Sequence, residues 1–521
     1  MLVADAKLPF KLLQVAESRC DTLVARPGRD ASKPRLRKQI EARGLKPYPA
    51  APQLPPPEPS LPNSFAYFAL FAWPAVSLVL FLMLPVERAA IWSLLGGYLL
   101  LPSGTRVDLP LLPPLDKSTI PAIVTFLFCW MKGTQSPAPQ RSPLVYCCAF
   151  AFVVSPLFTS LNNSYELQLA GRSLPGFYPL DGVKFAILNV ITLAPFFIGM
   201  RFLSSDNGRA QLLRAIPLAA LVYSLPMLLE VRISPQLHRL VYGFFPGFIG
   251  EVRGSGYRPV VFLDQGLQAA LFAATAVIAA VVAARMKWRL FSIPARAAAT
   301  YLGVILLLCK TLGAAIYALI AIPMVLFLKP KAWVNFACGI GLLICAYPLL
   351  RTLDIIPVHH ITSAAMAISK ERSFSFAVRV ENEDLLLAKA NQKPAFGWGA
   401  WARNRIYDRK SGGDISITDG EWIIQFGTFG WLGYLSLFGL FTSSLLRARK
   451  AVRGPVTEPT IILGALGLLL AINLTDLLPN ANLVPLTYLI AGSVAGCVRA
   501  KSSRKSARQR VDNAERAAVA A

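Results

Sequence analysis

The feature that most constrains this chain is a series of nine apolar runs, each long enough or nearly long enough to cross a membrane. At ~1.5 Å of helix rise per residue, about 20 apolar residues span the ~30 Å of bilayer hydrocarbon. Over 521 residues, 55% are hydrophobic and only 16% are charged, which excludes an ordinary soluble multi-domain protein. We therefore predict an all-α polytopic membrane protein. The nine runs cover residues 64–84, 143–160, 182–203, 212–230, 262–284, 332–350, 421–446, 460–477 and 483–498.

Shorter apolar segments add to this count. Segments 297–309 and 311–328 meet at Lys310, and we interpret them as a hairpin with this lysine at the bend. Two further pieces of about thirteen residues lie around Leu94 and Phe126, and each is short for a full span. With these segments included we expect about 12 transmembrane helices.

The net charge of +25 has a distribution that points to a membrane surface rather than to nucleic acid. Arginine and lysine gather in short connectors and in the C-terminal tail, and these alternate with connectors that hold fewer cations, which is the positive-inside pattern. We therefore expect the basic connectors on the cytoplasmic side and the loops 161–181, 231–261 and 351–420 on the periplasmic side. The basic segments are 201–214, 285–296, 329–331, 447–453 and 499–516.

The chain accordingly divides into five predicted regions. In the first region, the stretch from Pro47 to Pro62 contains eight prolines and is expected to be an extended linker into the first span, and the basic stretch before it is expected to be disordered or partly helical. The regions are a cytoplasmic tail (1–63), transmembrane helices with short loops (64–350), a large periplasmic loop (351–420), C-terminal transmembrane helices (421–498) and a basic cytoplasmic tail (499–521).

The loop 351–420 carries ten Lys/Arg and eight Asp/Glu between two apolar runs. A segment this polar cannot lie in hydrocarbon, because each unpaired charge or backbone group there costs kilocalories, so we look for chemistry in this loop. Glu381, Glu383 and Asp384 could hold a divalent cation, but a solvated face is the interpretation that we favour. We expect no metal and no other cofactor.

Within this loop the residues follow a recognisable order. Arg379 is followed fifteen residues later by Pro394 and then by Gly397 and Gly399 around Trp398, which gives a P-x-x-G-x-G element. The next apolar run then contains a G-x-x-G pair, Gly430 and Gly433.

This order resembles the superfamily of O-antigen ligases and Wzy-type O-antigen or exopolysaccharide polymerases, which are bacterial membrane proteins. The loop of that family closes with His-Asn before a span that carries G-x-x-G. Counted back from the two glycines, those positions hold Asp419 and Gly420 here, which is a departure from the family pattern.

The resemblance implies a GT-C-like fold in the bacterial inner membrane and a metal-independent glycosyltransferase. Its donor would be a glycan on undecaprenyl diphosphate, and its acceptor a glycan or lipid-linked hydroxyl, in assembly of exopolysaccharide or O-antigen. The lipid bilayer and other polysaccharide-assembly proteins are the expected partners. A ligase acting on lipid-A core remains an alternative, as does a non-catalytic export component or a transporter.

Cations suited to the donor diphosphate are Arg379, Arg258 and Lys310. A guanidinium binds phosphate oxygens through a planar fork and stays charged at working pH. The alternative for each arginine is a salt bridge, with Glu381 or Glu251 as partner, and Lys310 instead snorkels if the hairpin tip reaches the surface.

The catalytic candidates are Asp419, in the place of the family histidine, and its rival Glu421. Either carboxylate could accept a proton from an acceptor hydroxyl. Asp419 could instead cap the helix that starts near Glu421. Trp398, between Gly397 and Gly399, would stack on sugar in the substrate loop or belong to an interfacial aromatic belt.

Overall fold

The computed structural model describes residues 61–109, 112–133, 140, 142–244, 251–253, 256–356, 358, 370–408 and 410–497. Most of the predicted N-terminal tail and all of the C-terminal tail from residue 499 lie outside these residues.

Helices dominate the described chain, and eight of them are long and apolar enough to cross a membrane. The prediction of an all-α multi-pass membrane protein is therefore confirmed. The eight helices are α1 (Ser64–Met83), α4 (Pro143–Leu161), α5 (Pro179–Phe202), α6 (Asp206–Ile233), α8 (Gly266–Arg285), α11 (Pro330–Thr352), α13 (Glu421–Ala451) and α14 (Glu458–Asp476).

The other apolar helices are too short to be identified as spans by length and composition. The expected total of about 12 transmembrane helices therefore stays a prediction. Two of the shorter helices meet at Lys310 in the anticipated hairpin, where this lysine adopts a left-handed φ of 51° and is exposed. The shorter helices are α2 (Val86–Leu100), α3 (Thr119–Lys132), α7 (Leu237–Tyr242), α9 (Ala295–Leu308), α10 (Leu312–Phe327) and α15 (Pro485–Ala495). Helix α12 (Lys370–Ala390) is 21 residues long but is not among the apolar helices, and it belongs to the loop 351–420.

Helix α8 lies at the centre of the core. Every side chain from Ala269 to Ala280 is buried, and seven of these twelve residues are alanine. Their small side chains let neighbouring backbones approach closely. Helices α6, α9, α10 and α14 pack around it. This closely packed centre holds the surrounding helices in place.

Strands occur only as short antiparallel hairpins in the described connectors. The hairpin β5–β6 belongs to the predicted periplasmic loop 231–261. The four hairpins pair β1 (Arg106–Val107) with β2 (Leu115–Asp116), β3 (Leu167–Leu169) with β4 (Arg172–Leu174), β5 (Val252–Arg253) with β6 (Gly256–Tyr257) and β7 (Arg289–Leu290) with β8 (Ile293–Pro294).

The helix ends sort into two faces. At one face the start of α13 meets the end of α14, where the Trp422 N–H donates to the Leu477 carbonyl at 3.4 Å. At the other face the end of α13 meets the start of α11, where Arg449 Nε donates to Asn335 Oδ1 at 2.9 Å. The polar loop and the basic connector therefore lie at opposite ends of the bundle.

Candidate functional site

Helix α13 is broken at Gly430, and the loop element 394–399 is joined to the break. Gly430 has φ 61° and ψ −161°, which is not helical. In an unbroken helix the N–H groups of residues 431 and 432 would bond to the carbonyls of residues 427 and 428. Instead, the loop forms hydrogen bonds with all four of these groups, so each has a partner. The bonds are Trp398 N–H to Gly427 O (2.9 Å), Gly399 N–H to Thr428 O (2.9 Å), Trp431 N–H to Pro394 O (2.7 Å) and Leu432 N–H to Ala395 O (3.2 Å).

This exchange explains two of the motif glycines. A Cβ atom on Gly397 would lie 2.4 Å from the carbonyl group of Thr428, and one on Gly430 would lie 2.5 Å from the carbonyl oxygen of Pro394. Both glycines also have positive φ, at 68° and 61°. The P-x-x-G-x-G element therefore docks backbone to backbone on the helix, and Gly397 has a structural role.

Trp398 is held by two lysines of the same loop. Its Nε1 donates to the Lys389 carbonyl at 2.8 Å, while the ammonium groups of Lys389 and Lys393 lie 5.0 and 4.7 Å from its ring centroid. Such cation–π contacts stabilise the loop. Burial lowers the pKa of Lys389 to about 8.

A buried arginine that the sequence reasoning missed completes this support. Arg403 is fully buried and donates to the carbonyl oxygens of Trp398 (3.1 Å), Tyr165 (2.8 Å) and Pro175 (2.9 Å). It ties the loop to the connector between α4 and α5. A charge in a polar loop looks solvated in the sequence, so no pattern singled it out.

The structure brings Arg379 and Asp419 together. Arg379 lies in α12, and its Nε is 2.6 Å from Oδ2 of Asp419, just before α13. The side chains are 38% and 24% exposed, so a ligand can reach both groups. Glu381 was offered from the sequence as the partner of this arginine, whose ion pair with Asp419 was not anticipated.

The alternative that Asp419 is the N-cap residue of α13 is wrong. The N-cap residue of α13 is Gly420, which has no side chain to cap with. Asp419 accepts from the guanidinium instead, because its side chain turns toward α12.

Asp476, at the end of α14, is a further carboxylate near the start of α13 that the sequence reasoning missed. Its carboxylate accepts from the side-chain amides of Asn480 (2.9 Å) and Asn482 (2.7 Å) and from the side chain of Tyr317. It also interacts electrostatically with Arg379. The available signal was a single acid at the end of an otherwise apolar run, which is a functional-site hypothesis by default.

Glu421 is close in sequence but enclosed. It is 1% exposed, accepts from Gln425 Nε2 at 2.7 Å, and its N–H donates to the Asn480 carbonyl at 3.3 Å. Of the two catalytic candidates, Asp419 is the one that a substrate can reach in this conformation.

A second ion-pair network lies next to the first. Arg351, at the end of α11, has Nη2 2.5 Å from Asp384 Oδ1 and 3.9 Å from Glu383 Oε2, and Trp422 Nε1 donates to Glu383 at 3.3 Å. The expectation of a solvated face is wrong for Glu383, which is only 13% exposed. Burial raises the pKa of Glu383 to about 7, although the nearby Arg351 guanidinium and the Trp422 hydrogen bond oppose this increase.

This shift predicts a pH-dependent stability. Between about pH 4.5 and 7 the unfolded chain loses a proton that folded Glu383 keeps, so stability falls by up to about 3 kcal/mol as pH rises through that window. Glu383→Gln should therefore be more stable relative to wild type at pH 8 than at pH 5, as measured by thermal unfolding in detergent. Glu381→Gln, which removes an exposed carboxylate from the same helix, is the control, and an equal pH-dependent gain there would contradict the prediction.

Arg258 and Lys310 form a separate group. A Cβ atom on Gly256 would lie 2.2 Å from Lys310 Nζ, and the Arg258 N–H donates to the Glu251 carbonyl at 2.9 Å. Helix α10 connects this group to the first, because it starts just after Lys310 and carries Tyr317, about 8 Å further along its axis. The three predicted diphosphate-binding cations therefore lie in two groups rather than in one, Arg379 in the first and Arg258 with Lys310 in the second.

Comparison of the chain with protein-family models, curated proteins and solved structures gives no match. Function is therefore inferred from the residues and their geometry.

Proposed function

We propose that this chain is a glycosyltransferase of the bacterial inner membrane. It transfers or polymerises oligosaccharide units carried on undecaprenyl diphosphate at the periplasmic face, in assembly of exopolysaccharide or O-antigen. The observation that carries the proposal is the partly exposed Arg379–Asp419 pair, an anion-binding group and a proton acceptor held 2.6 Å apart at the end of the helix bundle.

The pair suits a transfer that needs charge stabilisation and a base. Its contact uses Nε of Arg379, and the guanidinium carries further N–H donors on its two Nη atoms that can bind phosphate oxygens. The donor diphosphate would draw Arg379 away from Asp419, which frees the carboxylate to accept a hydrogen bond from the acceptor hydroxyl. Asp476, which interacts electrostatically with Arg379, would help to hold the guanidinium near the bundle end.

The bond changes then balance without a further reactant. The acceptor oxygen forms a bond to the anomeric carbon of the donor sugar while the bond from that carbon to the diphosphate oxygen breaks. Asp419 takes the hydroxyl proton, and undecaprenyl diphosphate leaves with its added negative charge against Arg379.

The second cationic group favours a polymerase over a ligase. Polymerisation uses two lipid-linked substrates, each with a diphosphate, and Arg258 with Lys310 would serve the second of them. Lys310 is exposed and lies beside the β5–β6 hairpin, where such a substrate can approach.

The broken helix α13 raises the transporter alternative, because transporters use interrupted helices as ion and substrate sites. In those sites the freed backbone groups face the cargo. Here the loop element 394–399 bonds to all four groups freed by Gly430, so they are not available to a ligand. This favours the transferase.

The test uses the purified chain in liposomes that contain an undecaprenyl-diphosphate-linked oligosaccharide. We expect release of undecaprenyl diphosphate together with longer glycans, and loss of most of this activity in Arg379→Lys, which keeps the charge but lacks the fork. Arg106→Ala is the matched control, because it breaks another exposed arginine–aspartate pair, Nε of Arg106 to Oδ2 of Asp108 at 3.1 Å.

A deletion strain separates the alternatives. Loss of long chains with single repeats still attached indicates a polymerase, and loss of all attached repeats indicates a ligase. Unchanged glycans in the deletion strain, with no turnover in liposomes, would reject both.

A further inference from the structure

The cytoplasmic end predicted for α11 and α13 contains a cavity of about 370 Å³ that the proposed transfer does not use. Three of its lining residues are cations, and none is a carboxylate. Val334 and Val452 are buried and form its apolar floor. The lining residues are Lys331, Val334, Asn335, Arg449, Val452 and Arg453.

We propose that this cavity binds the phosphate headgroup of an anionic phospholipid. Arg449 is already oriented by its 2.9 Å bond from Nε to Asn335 Oδ1, which leaves its Nη donors to point elsewhere. Lys331 and Arg453 add two exposed positive charges on the facing segments. Uncompensated cations at a helix boundary attract anionic headgroups.

The apolar surface above the cavity favours a lipid over free phosphate. Leu342 lies seven residues, about two helical turns, beyond Asn335 and so on the same face of α11, and it is 52% exposed. Between them, a Cβ atom on Gly339 would meet nothing within 4 Å, which leaves open space along the helix. An acyl chain fits this strip while its phosphate stays at the cations.

The cavity also lies at the right depth. Helix α11 begins at Pro330, and α13 ends at Ala451, so the three cations stand at the boundary of the apolar segments. Lipid phosphates occupy this level of a bilayer. The inference does not depend on the proposed glycan transfer.

The test titrates the full-length protein in detergent with phosphatidylglycerol or phosphatidylcholine and counts bound lipid by native mass spectrometry. The triple variant Lys331→Gln, Arg449→Gln, Arg453→Gln should weaken phosphatidylglycerol binding at least about tenfold and leave phosphatidylcholine unchanged. The single variant Arg453→Gln, which lies beyond the end of α13, should weaken it about fivefold without disturbing a helix.

The matched control removes three exposed cations from another connector predicted on the same side, by Lys287→Gln, Arg289→Gln and Arg296→Gln. It should bind phosphatidylglycerol within about twofold of wild type, because its charges lie outside the cavity. Equal weakening in both triple variants would overturn the proposal in favour of general surface charge. Wild-type binding in the cavity variants, or displacement of the lipid by millimolar inorganic phosphate, would also overturn it.

Discussion

Asp419→Asn is expected to lower the rate of the proposed glycan transfer by about 10²- to 10⁴-fold. Asparagine keeps the size of the side chain and an oxygen that can accept from Arg379, but it cannot take a proton from the acceptor. The ion pair is partly exposed, so its loss should change folding stability by less than about 1 kcal/mol. The measurement is the initial rate of undecaprenyl diphosphate release in liposomes, with thermal unfolding recorded alongside.

Glu421→Gln is the companion variant. Because Glu421 is enclosed and bonded to Gln425, its substitution should reduce the rate far less than the change at Asp419. If Asp419→Asn turns over at the wild-type rate, Asp419 serves only as the ion-pair partner of Arg379 and is not the base.

Gly430→Ala is expected to destabilise the protein by more than about 3 kcal/mol. The backbone at Gly430 has φ 61° and ψ −161°, a region that only glycine adopts at low cost. The new Cβ atom would also lie 2.5 Å from the Pro394 carbonyl oxygen, and backbone cannot move aside as a flexible side chain can. The yield of folded protein in the membrane and its thermal unfolding in detergent measure the effect.

Gly303→Ala makes the same chemical change where it should be harmless. Gly303 lies inside α9, and a Cβ atom there meets nothing within 4 Å, so alanine should be neutral or stabilise the helix by up to about 1 kcal/mol. Equal stability of the two variants would mean that α13 runs unbroken through Gly430.

Hydropathy was enough to predict the long helices, since apolar length alone decides which segments can cross a bilayer. It also located the hairpin at Lys310. It could not predict the break in α13, because the backbone groups freed at Gly430 are satisfied by residues 394–399, about thirty positions upstream. The glycine spacing was visible in the sequence, but its physical reason is this contact between distant segments.

The candidate site was predictable in parts. Arg379 and Asp419 were selected separately by their places in the order of motifs that the resemblance supplies, yet their pairing joins residues forty positions apart and has no local signal. Asp476 looked like the end of a span, and Glu383 like a solvated acid, because burial in a loop depends on what packs over it. Sequence patterns report the periodicity of an element and not its tertiary neighbours.

The exchange between the loop and α13 also bears on how the chain is assembled in the membrane. Residues 394–399 leave the ribosome before Gly430, so on the predicted topology this loop segment crosses the bilayer before α13 is inserted. Until the two meet, α13 either continues as an ordinary unbroken helix or exposes four unpaired backbone groups, which hydrocarbon does not tolerate. The break at Gly430 can therefore form only together with docking of the loop, because the loop supplies the partners of the four freed groups.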